Sequence, residues 1–331
     1  MYRAQAVETW CNLELGVVGM KFTVFGGGGF IGSAIVDRLL REGHAVRVFE
    51  RPRVAPYRNF LPGEPLEWAT GDLLSAHDVA NAIDGSQCVI HLVSTTLPKS
   101  SNDDPAYDVS TNVIATLSLL DAMVAKGIRR IIFISSGGTV YGKPLYVPID
   151  EKHPTEPEVS YGIVKLTIEK YLQLYQRLHG IRAIVLRVAN PYGERQRVET
   201  AQGAVGVFLH RALSGQPIEI WGDGTVMRDF IHVGDVADAF VRATSYQGDA
   251  TVLNIGSGVG TSLNELIQAI GDVVETPVKC SYLPGRAIDV PVNVLDCNLA
   301  KREFQWTPQV ALPEGLAATV GWLRAQLPNA P

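Results

Sequence analysis

The chain has 331 residues, 46% hydrophobic and 19% charged, with a formal net charge of −5. That length suits one large domain or two small ones, and the composition is that of an ordinary soluble globular protein. The mild negative charge gives no reason to expect nucleic acid or a membrane surface as a partner, and no apolar run approaches the roughly 18 residues that span a bilayer. Cys11, Cys88, Cys280 and Cys297 are scattered without a CxxC pair. That excludes a disulfide framework and a zinc site from the expectations, so no metal is expected and a reducing cytoplasm is the natural setting.

Residues 1–19 lack the basic start and long apolar centre of a signal peptide and read as a poorly ordered extension. From residue 20 the pattern changes. KFTVF is a β-rich run, four glycines follow, and Phe30–Arg41 carries Ile31, Ala34, Ile35, Leu39 and Leu40 at helical spacing, with Gly43 as a stop. HAVRVFE is a second strand. Strand, glycine-rich turn, helix and strand form the context in which a glycine motif acquires meaning. Two registers fit: Gly27, Gly29 and Gly32 as GxGxxG, or Gly26, Gly29 and Gly32 as GxxGxxG. Both place Gly29 against a pyrophosphate and Gly32 where helix meets strand, with the N–H groups of Phe30 and Ile31 opening the helix. Glu50 ends the second strand 18 residues after Gly32, close to the ~20 expected of the acid that holds a ribose diol. A carboxylate there favours NAD over NADP.

The alternation continues. LEWATGDL reads as a strand ending in Asp72, SAHDVANAI as a helix, and QCVIHLV as a strand. A long amphipathic helix is expected over 106–126, then IRRIIFISS as a strand. Buried runs without a polar face imply a parallel sheet covered on both sides, with ligands at the carboxyl ends of its strands. Asp72, Leu92, Val93, Ser94, Ser135 and Ser136 fall at such ends. The expected fold is α/β, a Rossmann-type doubly wound parallel sheet over 20–190, with a smaller mixed α/β substrate-binding region over 191–331. Later segments return to the sheet.

Tyr161 and Lys165, in SYGIVK, lie one turn apart on a predicted helix and share a face. A phenol with a solution pKa near ~10 is a poor base at neutral pH. An ammonium one turn away should lower that value and make the pair a proton-transfer unit, with a hydroxyl at the fifth strand end orienting the reacting oxygen.

With these stretches in hand, GGGGFIGS, GDLL, IHLVS, TNVIATLSLL, SSGGTVYG, SYGIVK, LRVANPYG, RDFIHVGDVADA and PGRAIDVP, the chain resembles the extended short-chain dehydrogenase/reductases of the NAD-dependent sugar-nucleotide epimerase/dehydratase family. Within that family it is most like the UDP-hexose 4-epimerases. The resemblance covers about residues 21–327. It implies an enzyme that inverts carbon 4 of a nucleotide-linked hexose, UDP-glucose/galactose or a UDP-N-acetyl sugar, by transient hydride transfer to bound NAD. By the same resemblance Glu50 binds the adenosine ribose, Asp72 and Leu73 meet the adenine, and Lys165 also holds the nicotinamide ribose. Asn190 contacts the sugar nucleotide, Arg228 and Arg286 clamp the diphosphate, and Asp289 binds its ribose. Trp221 lies where a base could pack, or is core. Asn293 controls room at the sugar's 2-substituent. The family pattern has Ser or Thr where this chain has Gly137. Ser136 is therefore the expected hydroxyl, with Thr139 in reserve, and the double glycine should open space beside the sugar.

Related reactions are weighed on the same residues. The dehydratase branch carries Asp-Glu where this chain has Gly138 and Thr139. A 4-keto sugar-nucleotide reductase needs external NADPH, against which Glu50 counts, and a dTDP-deoxysugar 4-epimerase (such as one acting on dTDP-L-rhamnose) uses the same residues. An NAD-binding scaffold or sensor is the alternative that is not an enzyme. Apolar positions to spare on the two long helices, with the resemblance, imply a homodimer. A place in surface polysaccharide biosynthesis is the family's usual one.

Overall fold

In the computed structural model, which describes residues 19–197, 203–285 and 290–326, the apolar runs of the first half line up as one parallel sheet. Its early strands are β1 (Lys21–Phe25), β2 (Ala45–Glu50), β3 (Leu66–Thr70), β4 (Cys88–His91), β5 (Arg130–Ser136) and β6 (Arg182–Val188). After the short β7 (Asn190–Tyr192), β8 (Ile218–Trp221) and β9 (Met227–His232), the chain returns to its edge as β10 (Val252–Ile255). The order is β10-β6-β5-β4-β1-β2-β3, so the direction of winding reverses beside β1. A ligand crevice opens at the carboxyl ends of strands at such a reversal.

Period-two alternation sends neighbouring side chains to opposite faces. Phe22 and Val24 pack on α1 (Phe30–Arg41) and, later in the chain, α7 (Val233–Ser245), whereas Phe25 joins the other layer. That layer includes α2 (Ala76–Ala82), α4 (Ala115–Lys126) and α5 (Ser160–His179), through Val79, Leu119 and Ile168. Strand β3 stops at Thr70, so Asp72 sits in the turn beyond it and its carboxylate accepts the Leu74 N–H at 2.9 Å.

The helix expected over 106–126 is not continuous. Helix α3 (Pro105–Asp108) passes into a wide π-type turn over Val109–Ile114 before α4 begins. Asn112 explains the widening, because its side-chain amide donates to the Asp108 carbonyl at 2.9 Å and competes with the regular ladder. By length and composition the Pro105–Lys126 stretch could cross a membrane, contrary to the expectation that no segment approaches such a span. Half of its most apolar window is buried against the protein, and Asp108, Asn112 and Thr116 are buried polar residues within it. It is a core helix.

A second core gathers Tyr192, Phe208, Leu209, Ile218, Ile220, Leu266, Ile270 and Leu316 from β7, β8, α6 (Ala204–Leu213), α8 (Leu263–Val274) and α10 (Leu312–Gln326). Strand β9 pairs with β7, β11 (Gly260–Ser262) and β13 (Val292–Asn293), while β8 pairs with β12 (Cys280–Leu283). Helix α9 (Asn298–Phe304) belongs to the first core through Ala300 and Phe304. Of the sequence expectations, those on residues 1–18 and on Arg286 and Asp289 lie outside the described residues.

Candidate active site

The glycine turn follows β1 directly. Gly26 has φ +83°, a left-handed conformation costly for a side-chain-bearing residue, which favours the register Gly26, Gly29, Gly32. A Cβ on Gly32 would lie 2.1 Å from the Gly26 carbonyl oxygen, so the helix packs on the turn only without one. Gly29 caps α1 without a side-chain hydrogen bond, and a Cβ there would meet only the Gly26 carbonyl oxygen, at 3.3 Å. One side of the turn is therefore bare backbone, which suits close approach of a pyrophosphate to the helix N-terminus.

Glu50 leans over this turn and accepts the Gly28 N–H at 2.9 Å. Burial raises its carboxyl above the usual range, opposed by the Gly28 and Arg51 amides. Leu92 and Val93 follow β4, and their backbone lies about 3.5 Å from where a Gly26 side chain would be, on the opposite flank from Glu50. Ser94 comes next and is exposed. Leu73 packs on the second layer's core. A bare glycine cradle, a carboxylate at the end of β2 and backbone lining after β4 fit a dinucleotide with a free ribose diol.

Tyr161 and Lys165 lie in the first turns of α5, with the ammonium nitrogen 5.5 Å from the Tyr161 ring centre. Gly162 lets this turn press on the loop after β5, since a Cβ would lie 2.8 Å from the Thr139 carbonyl oxygen. The expected lowering of the phenol pKa is reversed here. Burial and the nearby Asp108 charge push Tyr161 up to about 12, with the Ser94 hydroxyl opposing. Lys165 is buried, donates to the Ile134 carbonyl at 3.1 Å and sits 4.9 Å over the Phe133 ring. Its ammonium is directed at the strand, and desolvation brings it down to about 8.

Strand β5 sorts the serines. Ser135 donates to Glu169, which also accepts from Arg187 at 2.7 and 3.1 Å in a buried ion pair. Ser136, on the other face, is half-buried. The Thr139 hydroxyl is buried and, among the described residues, has no hydrogen-bond partner. The double glycine does not open the space expected at both positions. A Cβ on Gly137 would lie 2.5 Å from Leu295 Cδ1, so a fully buried leucine fills the place of a hydroxyl-bearing side chain. Gly138 is open, with only the Ser136 hydroxyl oxygen at 3.9 Å.

The second half meets this strand end through β9 and β13. Arg228 and Asn293 are register partners. Asn293 is 2% exposed and donates to the Gly137 carbonyl at 3.2 Å, while its Oδ1 is buried without a partner among the described residues. Asn190 donates to the Asp229 carbonyl at 3.1 Å. The Asp229 carboxylate is taken by Ser257, Gly258 and Leu295. The Arg228 guanidinium reaches the Met227 and Val290 carbonyls at 2.9 and 2.7 Å. Trp221 ends β8, two-fifths exposed, opposite Leu283. Pairing on β9 groups Asn190, Arg228 and Asn293 in one sheet, and Asn293 reaches the end of β5 through the Gly137 carbonyl, whereas Trp221 belongs to the separate β8–β12 pair.

A model of the NAD dependent epimerase/dehydratase family matches residues 22–256. The chain belongs to this family. A UDP-glucose 4-epimerase of Mycolicibacterium smegmatis is 36% identical over 310 residues, covering 92% of this chain and 99% of that protein. The crystal structure of a UDP-glucose 4-epimerase from Thermotoga maritima with UDP-glucose superposes with a TM-score of 0.87 at 34% identity, over 93% of this chain and 99% of that one. A UDP-N-acetylglucosamine 4-epimerase from Methanobrevibacter ruminantium in complex with UDP-N-acetylmuramic acid also reaches 0.87, at 29% identity, over 93% and 99%.

For a member of this epimerase/dehydratase family, the site holds polar residues that motif spacing did not single out. Asp108, Asn112 and Ser160 converge behind Tyr161. A polar signal was present in the sequence, since DVSTN interrupts an otherwise apolar helix. Leu295 was hidden because its contact with Gly137 spans 158 residues of chain.

Proposed function

We propose that this chain is an NAD-dependent enzyme that inverts carbon 4 of a UDP-linked hexose. The observation that carries the reading is the Tyr161–Lys165 face of α5, set at the strand ends beside a glycine cradle guarded by Glu50. The cofactor these residues would hold, NAD, would supply the acceptor and donor of a hydride at carbon 4. The chain's residues manage the proton and the placement. Tyr161 exchanges a proton with the sugar's 4-hydroxyl, and Lys165 supplies the positive charge that holds the phenolate once formed. Ser136 and Thr139 offer hydroxyls for the reacting oxygen, and the unpartnered Thr139 Oγ1 favours Thr139. Gly26, Gly29, Gly32, Phe30 and Ile31 hold the pyrophosphate, Glu50 the adenosine ribose, and Asp72 and Leu73 the adenine. Leu92, Val93 and Ser94 line the cofactor from the β4 side. Arg228, with Arg286, clamps the substrate diphosphate, Asp289 holds its ribose and Asn190 its sugar side. Trp221 packs on the base. Rigid binding of the diphosphate lets the keto sugar present either face to the same groups.

Asn293, smaller than an aromatic side chain, supports admission of a 2-acetamido sugar as well as a 2-hydroxyl. Exposed Tyr107, Val109, Ile114 and Ile163 on α3, the wide turn and α5 support a homodimer through these helices. A cytoplasmic place in polysaccharide precursor supply suits such an enzyme. The reductase and sensor readings have weaker support, since Glu50, Tyr161 and Lys165 are all present, and the dTDP-deoxysugar reading has weaker support because the similar 4-epimerases are named for UDP sugars.

The test is NMR of the purified protein with UDP-glucose, UDP-N-acetylglucosamine and dTDP-L-rhamnose separately, without added NAD. A 4-epimer is expected from a UDP sugar, and Tyr161→Phe should slow it about 10²–10⁴-fold. No epimer in any tube, with NAD then supplied, contradicts the reading.

A further inference from the structure

Among the described residues, Asp108 is the one whose charge reaches both members of the proton-transfer pair. It is 0% exposed at the end of α3, where the wide turn begins. Its Oδ1 accepts from Thr96 at 2.5 Å and Asn112 at 2.9 Å, and its Oδ2 accepts from Ser160 at 2.7 Å. Thr96 belongs to the loop after β4, and Ser160 is the first residue of the catalytic helix, adjacent to Tyr161. Neighbouring backbone is fixed by the same cluster. Asn102 and Ser101 accept the Ser160 and Tyr161 N–H groups at 2.8 and 3.0 Å.

A buried carboxylate ordinarily takes a cation. Glu169, one turn beyond Lys165, does so with Arg187. Asp108 is held by two hydroxyls and an amide, all neutral. Among the described residues no cation bonds it, and the Lys165 ammonium feels it at longer range. From the β4 side, His91 is neutral, brought down to about 3 by burial, and adds no charge. The Ser94 hydroxyl opposes the effect of Asp108 on Tyr161.

We propose that Asp108 is a positioning residue for the Tyr161–Lys165 pair: through Ser160 it pins the first turn of α5, and its negative charge favours the Tyr161 hydroxyl over its phenolate. The consequence is chemical. The protonated hydroxyl is the form that donates to the 4-oxygen when the hydride returns, while the Lys165 ammonium opposes Asp108 and keeps the phenolate of the first step within reach. The proposal rests on Tyr161 acting as proposed above, but its test does not.

The experiment follows the Tyr161 ring by NMR of protein labelled with 13Cζ-tyrosine, using Tyr161→Phe to assign the signal, in wild type, Asp108→Asn and Ser160→Ala. In Asp108→Asn the oxygen facing Thr96 and Asn112 is kept and the amide can donate to a turned Ser160. The charge alone is lost. The Tyr161 signal should then titrate about 1 pH unit lower than in wild type, the lower end of what a removed neighbouring like charge produces. The acid limb of the epimerisation profile should move down with it. Ser160→Ala keeps the charge and loses the tether. Its titration should stay at the wild-type value while kcat falls several-fold with KM little changed. An Asp108→Asn signal that tracks wild type overturns the electrostatic part. Should that variant not fold, Ser160→Ala still decides the tether, which wild-type kcat would overturn. Its titration still decides the charge, which a fall comparable to that expected for Asp108→Asn would overturn.

Discussion

Two glycine clusters stand at strand ends of the same sheet, and they are glycine for opposite reasons. After β1, Gly26 and Gly32 are required by the chain's own turn, and Gly29 leaves backbone bare on the side where a ligand approaches. After β5, Gly137 is required by Leu295, which arrives from the far end of the chain and fills the space a side chain would take. The first cluster is local and turned outward. The second is a packing solution between the two halves, and only its neighbour Gly138 is open. A run of glycines therefore does not by itself mean room for a ligand.

The largest way to break this comparison lies in the first cluster. Gly32→Ala should cost about 1–3 kcal/mol or more of stability, because the added methyl meets rigid backbone rather than a movable side chain. Gly29→Ala should melt within a degree or two of wild type yet lose NAD, since its methyl points into the cradle. Thermal unfolding with and without NAD separates the two. If Gly29→Ala keeps full affinity, the cradle is misplaced.

In the second cluster, Gly137→Ser should cost about 1–3 kcal/mol by overpacking against Leu295. In the Leu295→Ala background the same change should cost markedly less, a coupling measurable by denaturant unfolding of the four proteins. Strict additivity would mean that Leu295 is not what keeps position 137 bare.

The effect that is smallest near neutral pH concerns His91, on β4 between the clusters. It bonds Thr116 at 3.0 Å and packs on Phe25 and Phe133. Burial lowers its pKa from 6.5 to about 3, so the unfolded chain takes up the proton first. Its contribution is complete above pH ~6.5 and is lost as pH falls towards 3, at up to about 1.4 kcal/mol per pH unit. A His91→Gln variant should show a shallower fall of stability with acid over that window than wild type. An equal fall would place the proton elsewhere.

Legibility in the sequence followed the range of the interactions. The sheet strands, α1 and the Tyr161–Lys165 face were readable because each is written within a few residues, by alternation, helical spacing or turn chemistry. Glu50 was readable because its distance from the glycines is set by one helix and one strand. Three features were not. The wide turn at Val109–Ile114 depends on where the Asn112 side chain finds its partners. The rise in Tyr161 proton affinity depends on burial and then on Asp108, 53 residues earlier in the chain. The filling of Gly137 depends on Leu295. The last two are tertiary contacts that no local pattern encodes, and the first is a choice by Asn112 between Asp108, four residues back, and Thr95 on the loop after β4.

The most direct test of the account uses UDP-glucose carrying deuterium at carbon 4, incubated with the enzyme in ordinary water and followed by NMR and mass spectrometry. If Tyr161 moves only the hydroxyl proton and hydrogen at carbon 4 travels through a retained NAD, the 4-epimer keeps its deuterium at carbon 4. Deuterium lost to solvent, or a product with carbon 4 unchanged, would contradict it.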